Sequence, residues 1–295
     1  ASRGLGDVYK RQEVYESIGK LQIVNITLDR SVDDAQAIFE SLNSTGKELS
    51  ESDLIRNYVL MGLEPTEQTY VYEHLWRPME LLFVYETQDS VMDRFFRDYL
   101  TMKITRIPKQ DRVYEEFKLY HLNCEFSTIR ELCQDLLTYA KYYTDMVFKR
   151  SSNPALKSLY EDINDLRMEV SYPFLLKVHN DYAEGIISED DLKLIIRLCI
   201  SYVFRRSICD IPTNSLNKTF ATLKNEIKPD DYVNSIKAFS LCVMTIKSSQ
   251  MMINLRRPLY REIFTPCAPV TLSSAIWRTT ATKRRLSSRT IRLNI

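Results

Sequence analysis

The sequence predicts a mainly α-helical protein, in which a residual strand and a helical hairpin precede a multi-helix domain. Glycine and proline, which interrupt helices, are scarce at 6 and 10 of 295 positions. Long stretches repeat apolar residues with the period of about 3.6 that is typical of amphipathic helices. A hydrophobic content of 44% and a charged content of 27% are ordinary for a globular chain of sufficient length to form a core.

The sequence of the N-terminal region predicts an adaptor-like artefact followed by a β-strand. The run Gly4–Gln12 resembles the translated adaptor sequence found at the ends of assembled gene fragments, and it shows no helical or strand period. We therefore predict an adaptor-like artefact over residues 1–11. Residues 21–28 alternate apolar and polar side chains and are rich in β-branched residues, which predicts a β-strand.

A helical hairpin is predicted after the strand. Asp33 can cap a first helix, and Gly46 suits the left-handed position that commonly ends one. Ser50 and Asp53 have the spacing of a capping box for a second helix. Taken alone, this pattern describes a well-capped hairpin with no binding role.

The same run, Ile38–Val59, resembles the signature of the N-terminal domain of GmrSD-type, modification-dependent restriction endonucleases. The resemblance rests on Phe39, Glu40, Leu42-Asn43, Gly46, Leu49, Asp53-Leu54-Ile55 and Tyr58 in that order. It implies a loop that faces a nucleotide- and DNA-sensing region, with ligand contacts from Asn43, Thr45, Gly46 and Lys47. It also implies that residues 12–65 are the C-terminal part of a ParB-like α+β domain.

The Gly46-Lys47 pair does not form a phosphate-binding P-loop. That motif requires glycine where Ser41 stands and serine or threonine where Glu48 stands, and the glutamate would repel a phosphate. The family's Asp-Gly-Gln-Gln-Arg-type motif, which is linked to nucleotide hydrolysis, does not occur in this sequence. The resemblance therefore implies a fragment whose parent begins further upstream.

A multi-helix domain is predicted over residues 66–245. Helices are expected to start near Thr66, Ser90, Lys109, Ser127, Asn153, Ser188, Asn214 and Pro229. Thr128 with Glu131, and Ser188 with Asp191, have capping-box spacing. The aromatic stripe that includes Tyr139 and Tyr143 is interpreted as helix packing rather than base stacking.

A second resemblance to the same family lies between Tyr202 and Phe220. Arg205 and Arg206 end a predicted helix, where they can complement its dipole, and Asn214 can cap the next helix. A phosphate-contact role is an equally open interpretation. Arg205, Arg206, Asn214 and Lys218 are therefore candidates for nucleotide or DNA binding.

Metal, nucleophilic and membrane sites find no support in the sequence. The six cysteines form no Cys-x-x-Cys pair and the three histidines lie far apart, so we predict no metal site and no catalytic residue. Cysteines in apolar helical runs indicate buried free thiols and a cytoplasmic location. No apolar run approaches the roughly 20 residues that a transmembrane helix needs.

The residues after Glu262 differ in composition from the rest of the chain. After Glu262 there is no acidic residue, basic residues remain frequent, and the helical period is lost. One interpretation is a basic nucleic-acid-binding tail. The other is a frameshift: back-translated in a shifted frame, Trp277–Ile295 permits a string resembling the family's entry into an HNH-like nuclease domain. We predict an out-of-frame tail over residues 246–295, which resequencing of the source DNA tests.

Two functions are compatible with these features. The resemblance implies a fragment of a nucleotide-dependent, modification-sensing DNA restriction endonuclease in phage defence, with modified DNA as its partner. It implies an NTP and a divalent metal as cofactors of the intact parent, whereas this chain is expected to hold none and to be inactive alone. The alternative is a non-catalytic helical module that binds a protein partner or a second copy of itself. A net charge of only +1 favours this alternative.

Overall fold

The computed structural model describes residues 3–21, 37–39, 41, 49–84, 90–208, 212–228 and 231–238. The chain divides into two compact units, Ala1–Glu48 and Leu49–Ile295. The predicted strand beyond Leu21, the hairpin loop at 42–48 and the predicted out-of-frame tail lie outside the described residues. The predicted domain boundaries at 65/66 and 245/246 remain predictions.

The first unit contributes one long helix to the described residues. Helix α1 spans Arg3–Ile18, and residues 37–39 and 41 are also helical. Helix α1 covers residues 4–12, where the sequence indicated no helical period, so that part of the expectation is wrong. Whether residues 1–11 come from an adaptor remains a prediction.

The described part of the second unit is helical. Its α-helices are α2 Glu51–Leu60, α3 Pro65–Val71, α4 Arg77–Phe83, α5 Ser90–Ile104, α6 Val113–Asn123, α7 Ile129–Val147, α8 Pro154–Asp165, α9 Tyr172–Ala183, α10 Glu189–Ile208 and α11 Leu216–Thr222. Residues 232–238 are also helical. A π-helical segment, Tyr72–Trp76, joins α3 to α4, and 3₁₀ segments occupy Gln110–Arg112, Glu169–Ser171, Thr213–Ser215 and Leu223–Glu226. The mainly α prediction is confirmed. No strand occurs among the described residues, so the ParB-like α+β expectation finds no support in them.

Side-chain caps fix the starts of several helices where the sequence predicted them. The Ser188 hydroxyl accepts the Asp191 amide at 3.1 Å, and the Asp191 carboxylate accepts the Ser188 amide at 3.1 Å, which is a complete capping box. Ser50 and Thr128 likewise accept the amide three residues ahead. These bonds satisfy N–H groups that a helix start otherwise leaves without an acceptor.

We expect the substitution Ser188→Ala to lower the free energy of unfolding by about 1 kcal/mol, because it removes the acceptor for the Asp191 amide. Chemical denaturation measures this difference. Ser158→Ala is the matched control, since Ser158 is exposed inside α8 and the same substitution there removes no cap. Equal stabilities of the two variants would contradict the predicted role of the Ser188 cap.

Helix α5 lies at the centre of the second unit, where it packs against α2, α4, α6, α7 and α9. Its Phe95 is fully buried and contacts three further aromatic rings of the core, Phe83, Phe96 and Tyr143, at centroid distances of 5.3 to 5.5 Å. Tyr139 and Tyr143 of α7 are buried as well, so the interpretation of this stripe as helix packing is confirmed. The core is therefore predominantly aromatic at its centre.

Candidate functional site

A cavity of about 470 Å³ lies beside the C-terminal end of α10. Its walls come from the last turns of α10, from the turn at 166–170 after α8, and from residues 213–217 at the start of α11. Its polar lining comprises Arg167, Arg206, Ser207, Thr213, Asn214 and Asn217. Much of the second signature therefore converges on one cavity, which we call the α10 cavity.

Arg206 is the buried charge of the α10 cavity, with 2% of its surface exposed. Its Nη1 donates to the Tyr202 hydroxyl at 3.0 Å. Its Nη2 donates to the Pro212 carbonyl at 2.6 Å and to the Ser215 hydroxyl at 3.0 Å. Its Nε finds no acceptor among the described residues. Arg206 thus ties the end of α10 to the segment that leads into α11.

Asn214 does not cap a helix, so the predicted capping role is wrong. The residue before α11 is Ser215, and the one before the 3₁₀ segment is Pro212; neither makes a side-chain cap. Asn214 falls inside that 3₁₀ segment, because the chain turns there before α11 begins. Its side chain is exposed and lines the α10 cavity instead.

The opposite wall contains a residue that sequence reasoning missed. Arg167 has φ 53°, in the left-handed region that a residue with a Cβ rarely adopts. It occupies the left-handed position that ends α8, since its amide donates to the Asn164 carbonyl and the Met168 amide donates to the Ile163 carbonyl. Glycine is usual at this position, and no local sequence pattern marks the arginine that stands here.

The other candidate residues lie away from the α10 cavity or outside the described chain. Arg205 is half-buried, and burial lowers the pKa of its guanidinium. Lys218 is exposed on α11 and does not line the cavity. The loop candidates Asn43, Thr45, Gly46 and Lys47 fall outside the described residues. The structure therefore brings together two of the eight predicted residues, Arg206 and Asn214.

The described half of the first signature serves helix packing. Ile55 is fully buried in the core. The Glu51 carboxylate accepts the Tyr114 amide at 2.5 Å at the start of α6, and the Tyr58 hydroxyl bonds His121 Nδ1 at 2.8 Å within the same helix. The two hydrogen bonds hold α2 against α6, so Glu51, Ile55 and Tyr58 are explained by packing without a ligand.

The buried cysteine side chains are held in an unreactive form. Burial raises the pKa of the Cys133 and Cys199 thiols to about 12, so neither is a thiolate at neutral pH.

Within the described ranges, no three His, Cys, Asp or Glu side chains come together as a metal site. These residues therefore do not fit the divalent metal that the resemblance implies for the parent. None of the described helices has the length and apolarity to cross a bilayer.

Comparison with known proteins bears on the N-terminal part of the chain. Residues 6–60 match the model of the family described as the GmrSD restriction endonuclease, N-terminal domain. Neither the curated proteins nor the solved structures contain a match. The matched range contains the whole first signature and ends with α2. The resemblance is thus confirmed over residues 6–60, which are similar to the N-terminal domain of GmrSD restriction endonucleases.

Proposed function

We propose that this chain is part of a nucleotide-dependent DNA restriction endonuclease that senses modified DNA and acts in phage defence in the cytoplasm. The family match over residues 6–60 is the observation that carries the proposal. The second signature supports it, because it follows the first in the expected order and its residues converge on one cavity. In the intact enzyme, an NTP and a divalent metal would be the cofactors.

The role proposed for this chain is binding and coupling rather than cleavage. A phosphodiesterase of the implied kind needs a water-activating base and a divalent metal, and the described residues offer no such pair. We expect the purified chain to leave supercoiled plasmid intact in the presence of Mg²⁺ or Mn²⁺. Metal-dependent nicking that copurifies with the chain through two chromatographic steps would contradict this expectation.

DNA binding is the direct test of the proposal. We expect a base-modified duplex to bind with an affinity that falls as salt rises, because phosphate contacts release counterions. Replacing one contacting cation, in Lys47→Ala or Lys218→Ala, should lower the slope of log K against log salt by about 1. Fluorescence anisotropy over a salt series measures both quantities.

Matched controls make the DNA experiment decisive. Lys157 is exposed on α8, outside both signatures, so Lys157→Ala should leave the salt slope unchanged. Arg205→Ala tests the half-buried candidate of the second signature separately. If the wild-type chain shows no affinity for modified or unmodified duplexes, or if all variants bind alike, the DNA-binding role of these residues is wrong.

A non-catalytic interaction module is the second candidate function, and a feature of α6 favours it. Leu119 and Leu122 of α6 are exposed, at 55% and 75%, whereas Phe117 of the same helix is fully buried in the core. An apolar pair on a helix surface is a contact for a partner or for a second copy. Concentration-dependent association in sedimentation velocity that Leu122→Glu abolishes would support this role. A monomer at all concentrations, with no effect of the substitution, would count against self-association.

A further inference from the structure

The charge of Arg206 is buried without an opposite charge among the described residues. Its three acceptors are the Tyr202 hydroxyl, the Pro212 carbonyl and the Ser215 hydroxyl, all of them neutral. A guanidinium keeps its charge in proteins, and burying a charge that has no counter-ion is strongly unfavourable. The surroundings therefore solvate this cation but do not neutralise it.

The end of α10 compensates only part of this charge. A helix carries about half a negative elementary charge at its C-terminal end, which Arg206 meets in the last turn of α10. A second cation, Arg167, lines the same cavity from the opposite wall and restores the positive balance. Counted over the residues that the structure describes, the α10 cavity is thus net positive, even after the helix end is included.

Arg206 lines the α10 cavity and retains unused hydrogen-bonding capacity. Its Nε is buried and has no acceptor in the described part of the chain, although a buried donor is normally satisfied. The side chains of Asn214, Thr213 and Asn217 line the same space and carry amide or hydroxyl donors. At about 470 Å³, the cavity has room for a small oxyanion with bound water.

We propose that the α10 cavity binds a single phosphoryl group, as free phosphate or as part of a nucleotide, through Arg206, Arg167 and Asn214. Phosphate fits because its tetrahedral oxygens accept several donors at once, and because hydrogen bonds from a charged arginine to an anion are strong. With 2% of its surface exposed, Arg206 meets a small ligand that enters the cavity rather than the backbone of a passing duplex. This proposal does not rest on the proposed DNA-binding function.

Calorimetric titration of the full chain with inorganic phosphate, at constant ionic strength against chloride, tests the proposal. We expect saturable binding and a melting temperature that rises with phosphate concentration. Arg167→Gln and Asn214→Ala should each weaken binding about tenfold or more, since each removes a hydrogen bond to a charged ligand. Arg206→Lys keeps the charge but removes the Nε donor, so a folded Arg206→Lys chain should also bind more weakly.

Control experiments distinguish free phosphate from a nucleotide as the ligand, and both from an acidic side chain of the chain itself. Arg197 is exposed on α10 and does not line the cavity, so Arg197→Ala should bind phosphate like the wild type. Tighter binding of an NTP with the same dependence on Arg167 and Asn214 would assign the site to nucleotides, and equal binding to free phosphate. Asp210→Asn removes the acidic residue that precedes the 3₁₀ segment in sequence. This variant tests whether the Asp210 carboxylate, rather than phosphate, is the partner of Arg206.

Three results would overturn the proposal. The first is that neither phosphate nor an NTP binds the wild-type chain. The second is that phosphate binds, but with equal affinity in Arg167→Gln, Asn214→Ala and the wild type. The third is that phosphate binds only after Asp210→Asn, which would make an internal carboxylate the partner of Arg206. Loss of duplex binding with intact phosphate binding would contradict the DNA-binding role alone.

Discussion

The substitution Phe95→Ala is expected to lower the free energy of unfolding by about 3–5 kcal/mol, the usual effect of removing a fully buried phenyl ring. The ring is 0% exposed and lies among Phe83, Phe96 and Tyr143. Its loss leaves a cavity and removes edge and tilted ring contacts that contribute beyond the buried area. Because domains are stable by only about 5–15 kcal/mol, the variant should be close to unfolding.

Urea denaturation followed by circular dichroism measures this change. Leu81→Ala is the control, because Leu81 of α4 is 56% exposed and its truncation should change stability by less than about 0.5 kcal/mol. A loss below about 1 kcal/mol in Phe95→Ala would mean that the aromatic centre repacks around the missing ring.

The contribution of His179 of α9 to the stability of the second unit is expected to fall on acidification. The side chain is 6% exposed, its Nε2 bonds the Tyr160 hydroxyl at 3.1 Å, and its ring stacks on Tyr142 at a centroid distance of 5.9 Å. Burial lowers the pKa of His179 from 6.5 to about 4, so the folded state favours the neutral ring. Its contribution is fully present above pH 6.5 and is lost as the pH falls toward 4. The loss amounts to about 3 kcal/mol across this window.

The titration of Asp98 changes the free energy of unfolding in the opposite direction, so the Asp98 carboxyl must be replaced before the effect of His179 can be observed. Burial raises the pKa of Asp98 from 3.8 to about 7, although the charge of Arg97 lowers it. The stabilising contribution of protonated Asp98 is therefore present below pH 3.8 and is lost as the pH rises through about 7. In an Asp98→Asn background, urea denaturation at about pH 7.5 and about pH 4 should show the histidine contribution. Adding His179→Gln should flatten the difference, and an unchanged difference would contradict the assignment.

Local features of the fold were predictable because their determinants are adjacent in sequence. The caps at Ser50, Thr128 and Ser188 depend on a side chain and an amide three residues apart, so the sequence alone specifies them. The burial of Tyr139 and Tyr143 follows from their position on one face of a helix. The assignment of the first signature rests on the same kind of short-range pattern.

Helix α9 was missed for the opposite reason. From Tyr172 to Val178 it is buried on nearly all sides, so it lacks the polar face by which a surface helix is recognised. The partnership of its buried Asp181 with Tyr232, at 2.5 Å, also joins residues that lie 51 positions apart. Neither the burial of α9 nor the contact of Asp181 with Tyr232 can therefore be predicted from a local sequence pattern.

The candidate site was predictable in part. Arg206 and Asn214 were identified from the second signature, and both line the α10 cavity. Arg167 was missed, because it belongs to the turn after α8 and reaches the cavity only through the packing of separate helices. The distinction between the half-buried Arg205 and the buried Arg206 was also hidden, since neighbouring residues of a helix face different directions.

The π-helical segment Tyr72–Trp76 sets the direction in which the residues of α4 face. A π turn holds one more residue than an α turn. An uninterrupted α-helix over the same residues would therefore turn every later side chain by about 100°, the angle of one α-helical residue. In the π form Trp76 is buried, and its indole Nε1 donates to Glu80 at 2.7 Å. The core contacts of α4 thus depend on the π turn that precedes it.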